Sequence, residues 1–168
     1  MELLLLPKSR TNEFVAALMR SYRLIAPLHR NDELLFAEID APEQVVLDYR
    51  NTVKAPKAAL FPQTECMIRF QRHLDQFNEI ESACLNGAPT VVLGIRPCDA
   101  RSYLFMDRIL GQGQYLDPYY RARRENTLVF SLACDRPRQT CFCHAFGSGP
   151  YDRQGSDAFM RDAGDAYL

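Results

Sequence analysis

The apolar positions open on a run of leucines, Leu3 to Leu6, closed by Pro7, which reads as a first buried strand. Between Ser9 and Tyr22 the period lengthens. Phe14, Leu18 and Tyr22 return every fourth residue, with Ser9 or Thr11 placed to cap and Glu13 in the first turn, so this segment is predicted to be helical. The stretches RLIAPLHR and ELLFAEID flank Asn31-Asp32, the pattern of a hairpin. From Gln44 to Gln63, Pro56 and Pro62 break any long element, leaving a short strand and then an ordered loop. Met67, Ile68, Phe70, Leu74, Phe77 and Ile80 suggest a helix over Glu65 to Leu85, ended by Gly87 and Pro89.

TVVLGI, bounded by Pro89 and Pro97, is a continuous run rich in β-branched residues and is predicted to be a buried parallel strand. DARSYLFMDRIL carries helical spacing up to Gly111, and NTLVFSLA is the next buried strand. Ser156 reads as a cap and Gly164 as a stop around DAFMRDA, while DAYL begins a strand without a partner in the chain, expected either to lead into a continuation of the domain or to pair with another subunit. A strand, a helix and a strand in that order make a βαβ unit with parallel strands. The expected fold class is therefore α/β, a single domain over residues 1–168 with a mixed sheet, the βαβ unit and flanking helices.

Composition agrees with a packed core: 47% of residues are hydrophobic and 24% charged. Lys and Arg number 20 against 21 Asp and Glu, a net charge of −1 that gives no general attraction for nucleic acid or anionic lipid. The leucine run is too short for a signal peptide or a membrane span, so a cytoplasmic location is expected. In that reducing setting the six cysteines point to metal or redox chemistry rather than to disulfides.

Cys98 follows one strand of the βαβ unit in GIRPCDA, and Cys134 follows the next in SLACDRP. Ligands in such sheets gather at the carboxyl ends of the strands. Cys141 and Cys143 can fold back to the same edge through the loop around Pro137, completing a set of four thiolates: Cys98, Cys134, Cys141 and Cys143. Four thiolates suit either tetrahedral zinc or a [4Fe–4S] cluster. The scattered positions and the lone Cys-x-Cys pair favour the wider cluster, with zinc as the alternative. Backbone N–H groups of FGSGP are candidates to bond sulfur, Phe142 and Phe146 to exclude water, and Arg96, Arg101, Arg136 and Arg138 either to raise the potential of an anionic centre or to be solvated loop charge. His144 reads as a surface imidazole, Asp99 and Asp135 as caps of the helix or turn after each, and Cys66 and Cys84 as small buried hydrophobes on the 65–85 helix. A redox dithiol of Cys141 and Cys143 has less support than the usual Cys-x-x-Cys would give. No phosphate-binding glycine motif is present for a flavin or nucleotide.

GIRPCDARSYLFMDRIL, LACDRPRQTCFCHAFGSGP and KAALFPQTECMIRF together resemble the N-terminal domain of an iron–sulfur subunit family found in sulfhydrogenase, as its beta subunit, and in anaerobic sulfite reductase. The resemblance runs from Lys57 to Leu168. It implies that Cys98, Cys134, Cys141 and Cys143 hold a [4Fe–4S] cluster in a subunit that performs no bond chemistry itself. Such a subunit relays electrons between a flavin-containing partner and a catalytic partner. Members of that family continue into a ferredoxin-like region with two Cys-x2-Cys-x2-Cys-x3-Cys-Pro runs, which this sequence lacks, so electron exit is expected through another chain or not at all.

Overall fold

The computed structural model describes residues 3–71, 79–82 and 88–168, with the backbone alone at 69–71 and 79–82. At one edge of its main sheet β2 (Arg23–Arg30) and β3 (Glu33–Glu38) form the expected hairpin, with Pro27 opposite Phe36. Asn31 and Asp32 both take positive φ, 50° and 63°, the backbone of a two-residue turn whose twist suits a hairpin. β6 (Thr90–Ile95) runs parallel to both β2 and β7 (Thr127–Leu132), and β8 (Ala158–Met160) runs parallel to β7. The result is a five-stranded mixed sheet in the order β3-β2-β6-β7-β8.

Every residue of β6 is buried, as a strand covered on both faces requires. Val91 and Leu93 pack with Val15, Leu24 and Leu47 beneath α1 (Thr11–Met19). Val92 and Ile95 point the other way, toward Ala100 and Tyr103 of α2 (Pro97–Leu110) and Tyr120 of α3 (Pro118–Glu125). The alternation of one strand, with an irregularity at Gly94 (φ 79°) that turns Ile95 onto the Val92 face, thus builds three layers, helix on sheet on helices. Phe14, Leu18 and Tyr22 lie against the first core as the helical spacing predicts.

The β2–β6 ladder ends at the Ile25–Val92 pair. Beyond it the Pro27 carbonyl accepts from the Val46 N–H at 2.8 Å, so a strap around residues 45–49 takes the place of a neighbouring strand. Proline is tolerated here because on that side of β2 only its carbonyl is used.

Several elements differ from the sequence reading. The leucine run is mostly in solvent, Leu3, Leu4 and Leu5 being 75%, 70% and 65% exposed, and only Leu6–Pro7 forms β1. No strand forms over 44–50, where a short 3₁₀ turn at Pro42–Gln44 leads into the strap. β4 (Ile68–Gln71) and β5 (Glu79–Ser82) pair antiparallel in place of the helix expected over 65–85. Cys66 lies ahead of β4 and is exposed rather than buried, and Cys84 lies outside the described residues. DAFMRDA holds strand β8 instead of a helix, and Ser156 bonds the Ser131 hydroxyl at 2.5 Å rather than capping. α3 has no counterpart in the sequence reading, although Asp117 caps it through bonds from the Tyr119 and Tyr120 N–H groups and Pro118 opens it. β9 (Ala166–Tyr167) finds its partner in β1 of the same chain, Leu6 opposite Tyr167, with Lys8 and Asp162 paired beside it at 2.7 Å.

Candidate metal centre

β6 and β7 are adjacent and parallel, with Ile95 opposite Ser131. Cys98 and Cys134 each come three residues after that paired position, so the register itself brings both to the carboxyl edge of the sheet. Arg96 is the N-cap residue of α2 and Pro97 its first residue, where a missing N–H costs nothing, which puts Cys98 in the first helical turn. Asp99 does not cap the helix. It sits inside the first turn, half-buried, where burial pushes its carboxyl up and the charges of Lys57 and Arg96 oppose that shift. Asp135 caps nothing either; it accepts from the Tyr151 hydroxyl at 3.0 Å.

From Cys134 the chain leaves the sheet in an irregular loop. The Cys134 N–H is held by the Pro150 carbonyl at 3.0 Å, so the loop returns to its own origin. Arg50 anchors the outer part, donating to the Arg136 and Pro137 carbonyls at 3.0 and 3.1 Å. Cys141 N–H donates to the Arg138 carbonyl at 3.0 Å, while the Arg138 N–H donates back to the Cys141 sulfur at 3.1 Å. Cys143 opens a 3₁₀ turn, Cys143–Phe146, closed by Gly147 in the left-handed conformation. Arg101 of α2 reaches that turn, pairing with Asp152 at 2.7 Å and donating to the Gly147 carbonyl at 3.2 Å. It is a tether rather than a solvated charge.

The four sulfurs influence one another. Burial pushes the Cys98 thiol up to about 11, and negative charge on Asp99, Cys134 and Cys143 adds to the shift. Burial also raises Cys134; the Arg96 charge opposes it, and Cys141 and Cys143 add to it. Backbone N–H groups of Asp99 and Arg136 favour the thiolates of Cys98 and Cys134 respectively. These shifts favour the neutral thiols of Cys98 and Cys134, and only a nearby cation would favour both thiolates together. Among the described residues, no three of His, Cys, Asp and Glu are grouped tightly enough for one metal ion.

The surroundings differ in part from the sequence reading. The N–H groups of Gly147 and Ser148 are used by the His144 and Cys143 carbonyls, within the turn itself. Phe142 and Phe146 do not shield the thiols; they are 63% and 57% exposed and contact each other at 5.8 Å between ring centres. Arg136 is exposed and pairs with Asp48. Arg96 is neither solvated nor remote: it is buried, its Nη1 donates to the Ala133 carbonyl at 2.5 Å and the Leu132 carbonyl at 3.4 Å, and its Nη2 donates to the Tyr49 carbonyl. The strap residue Tyr49, whose ring lies 4.1 Å below the Arg96 guanidinium and whose hydroxyl bonds the Gly94 carbonyl at 2.7 Å, has no signal in the sequence beyond an apolar neighbourhood.

A cavity of about 610 Å³ opens elsewhere, lined by Asp107, Tyr120, Arg124, Thr127 and Asp157. Its charged groups are engaged locally: Arg124 pairs with Asp107 at 3.2 Å, and Asp157 accepts from the Val129 N–H at 2.7 Å.

No family model matches this chain, and no solved structure matches it. It is 28% identical over 160 residues to Sulfhydrogenase 2 subunit beta of Pyrococcus furiosus, an alignment covering 93% of this chain and 44% of that protein. The chain thus spans less than half the length of that relative. The match agrees with the resemblance carried by Arg96–Asp99 and Cys141–Cys143, and it marks the chain as related to the iron–sulfur subunit family of which that resemblance speaks.

Proposed function

Starting from this relation to a sulfhydrogenase beta subunit, we propose that residues 1–168 form one α/β domain acting as an electron-transfer module, a non-catalytic subunit of a cytoplasmic redox complex of the hydrogenase or sulfite reductase type. Cys98, Cys134, Cys141 and Cys143 would hold one [4Fe–4S] cluster, whose chemistry is the uptake and release of single electrons. Its partners would be two further subunits, one flavin-containing and one catalytic.

What supports this reading is the register that brings Cys98 and Cys134 to one edge of the sheet, where each feels the charge of other cysteines of the set, together with the relation to a sulfhydrogenase beta subunit. Zinc draws four sulfurs to about 2.3 Å from one point, whereas a cubane spreads them over a larger body. The chain's own residues support the role. Asp152 and the Gly147 carbonyl tie the Cys143 turn to α2 through Arg101, which holds ligands from distant positions in one place. The exposed Phe142–Phe146 pair leaves the centre near the surface and offers an aromatic contact to a partner protein.

Anaerobic isolation followed by absorption spectroscopy tests the reading. A broad brown absorption that bleaches with dithionite, lost in Cys98→Ser and kept in Cys66→Ser, is the expected result. A colourless protein holding one zinc would instead assign the same cysteines to a structural zinc site.

A further inference from the structure

Arg96 stands where β6 passes into α2, two residues before Cys98, and is only 8% exposed. Its Nη1 reaches the Leu132 and Ala133 carbonyls, the last two before Cys134, at 3.4 and 2.5 Å. Its Nη2 reaches the Tyr49 carbonyl, and its plane lies over the Tyr49 ring. One side chain therefore spans the gap between the two strand ends that present Cys98 and Cys134, and fixes the strap beneath both. Only a planar fork with several donors can do this; an ammonium group on a flexible stem cannot reach carbonyls on two segments in one geometry.

The charge itself also calls for an explanation. Among the described residues Arg96 forms no ion pair with a carboxylate, and its buried Nε has no hydrogen-bond partner. A buried cation held by carbonyl dipoles and an aromatic face without an ion pair is costly to keep. Its charge also acts on Asp99, so its place is explained by the two segments its fork joins.

We propose that Arg96 is the positioning residue of the four-cysteine centre: it sets the separation of the strand ends carrying Cys98 and Cys134. The inference rests on the reading of these cysteines as ligands, and its test separates the two. In full-length chains keeping only Cys98 and Cys134, with Ser at Cys66, Cys84, Cys141 and Cys143, a short bis-maleimide joins the two remaining thiols without any bound metal. Arg96→Lys and Arg96→Gln should each lower the cross-linked yield severalfold, because the planar fork that joins the two strand ends is lost. Tyr49→Phe, which loses the hydroxyl bond to Gly94 but keeps the carbonyl and ring that Arg96 uses, should cross-link like the parent.

In chains with all cysteines, loaded anaerobically, both Arg96 variants should release iron to a chelator about tenfold faster than wild type. Parent-like cross-linking in both Arg96 variants overturns the proposal. So does an equal loss of cross-linking in Tyr49→Phe, which would mean general loosening. If wild type takes up no iron and sulfide while the cross-linking yields still separate, the cluster reading fails and the positioning role stands.

Discussion

Gly155, in the loop returning from Cys143 to β8, is the position least able to accept a side chain. Its φ is +81°, and a Cβ built there would come within 2.4 Å of the Ala100 carbonyl oxygen and 2.8 Å of its carbon. Both are backbone atoms in the first turns of α2, the helix that carries Cys98, so no side chain can rotate away. Gly164 provides the control, with φ of +92° and nothing within 4 Å of its virtual Cβ. In Gly164→Ala only the left-handed backbone is penalised, about 1–2 kcal/mol. Gly155→Ala carries the same penalty and must also part the loop from α2, an overpacking cost of about 1–3 kcal/mol, for a total of about 2–5 kcal/mol. For a chain of this size that is a fall in Tm of roughly 4–20 °C, against roughly 2–8 °C for Gly164→Ala. The same loop holds Cys134 through the Pro150 carbonyl and α2 through the Arg101–Asp152 pair, so the damage falls on the candidate centre. Urea unfolding of reduced, metal-free protein followed by circular dichroism gives both values. Equal losses in the two variants would refute the close packing of this loop on α2.

Three further outcomes rest on particular groups. Cys98 has an exposed surface yet its thiol is pushed up to about 11 by partial burial and the Asp99 charge, so in metal-free protein its alkylation by iodoacetamide should climb with pH until about 11 is passed; a rate already level at pH 9 would contradict that environment. Asp117→Ala removes the acceptor of two N–H groups at 2.9 and 3.0 Å and should cost about 1 kcal/mol in urea unfolding, whereas no measurable loss would mean that α3 needs no cap. Tyr103→Phe leaves the Pro56 carbonyl without the hydroxyl that bonds it at 2.7 Å in a fully buried place, and should cost about 1–3 kcal/mol in the same assay; a loss under about half of that would show that water reaches Pro56.

Where one periodicity dominates, the sequence is readable. Thr90–Ile95 is apolar throughout and forms the buried strand between two parallel neighbours, and Asn31-Asp32 announces its hairpin through residues that tolerate positive φ. Where two periods overlap, it is ambiguous. Met67, Phe70 and Leu74 suit a helix, yet IRFQ and EIES alternate with a period of two, and the backbone follows the alternation. α3 is hidden by its composition, since PYYRARRE has little apolar stripe to find, although Asp117-Pro118 is itself a capping signal. The arrival of Cys98 and Cys134 at one edge is legible because each follows a strand of one βαβ unit. The part played by Arg96 is not, because it depends on the Tyr49 strap, whose approach to the sheet is a tertiary contact with no local signature.

Convergence of the four cysteines on one cluster is tested most directly by the iron and acid-labile sulfide content of the anaerobically reconstituted chain, measured beside the four single serine variants of Cys98, Cys134, Cys141 and Cys143. About four irons and about four sulfides per wild-type chain are expected, with a clear deficit in each variant. One zinc with no sulfide in wild type, or full iron retention in Cys98→Ser, would contradict it.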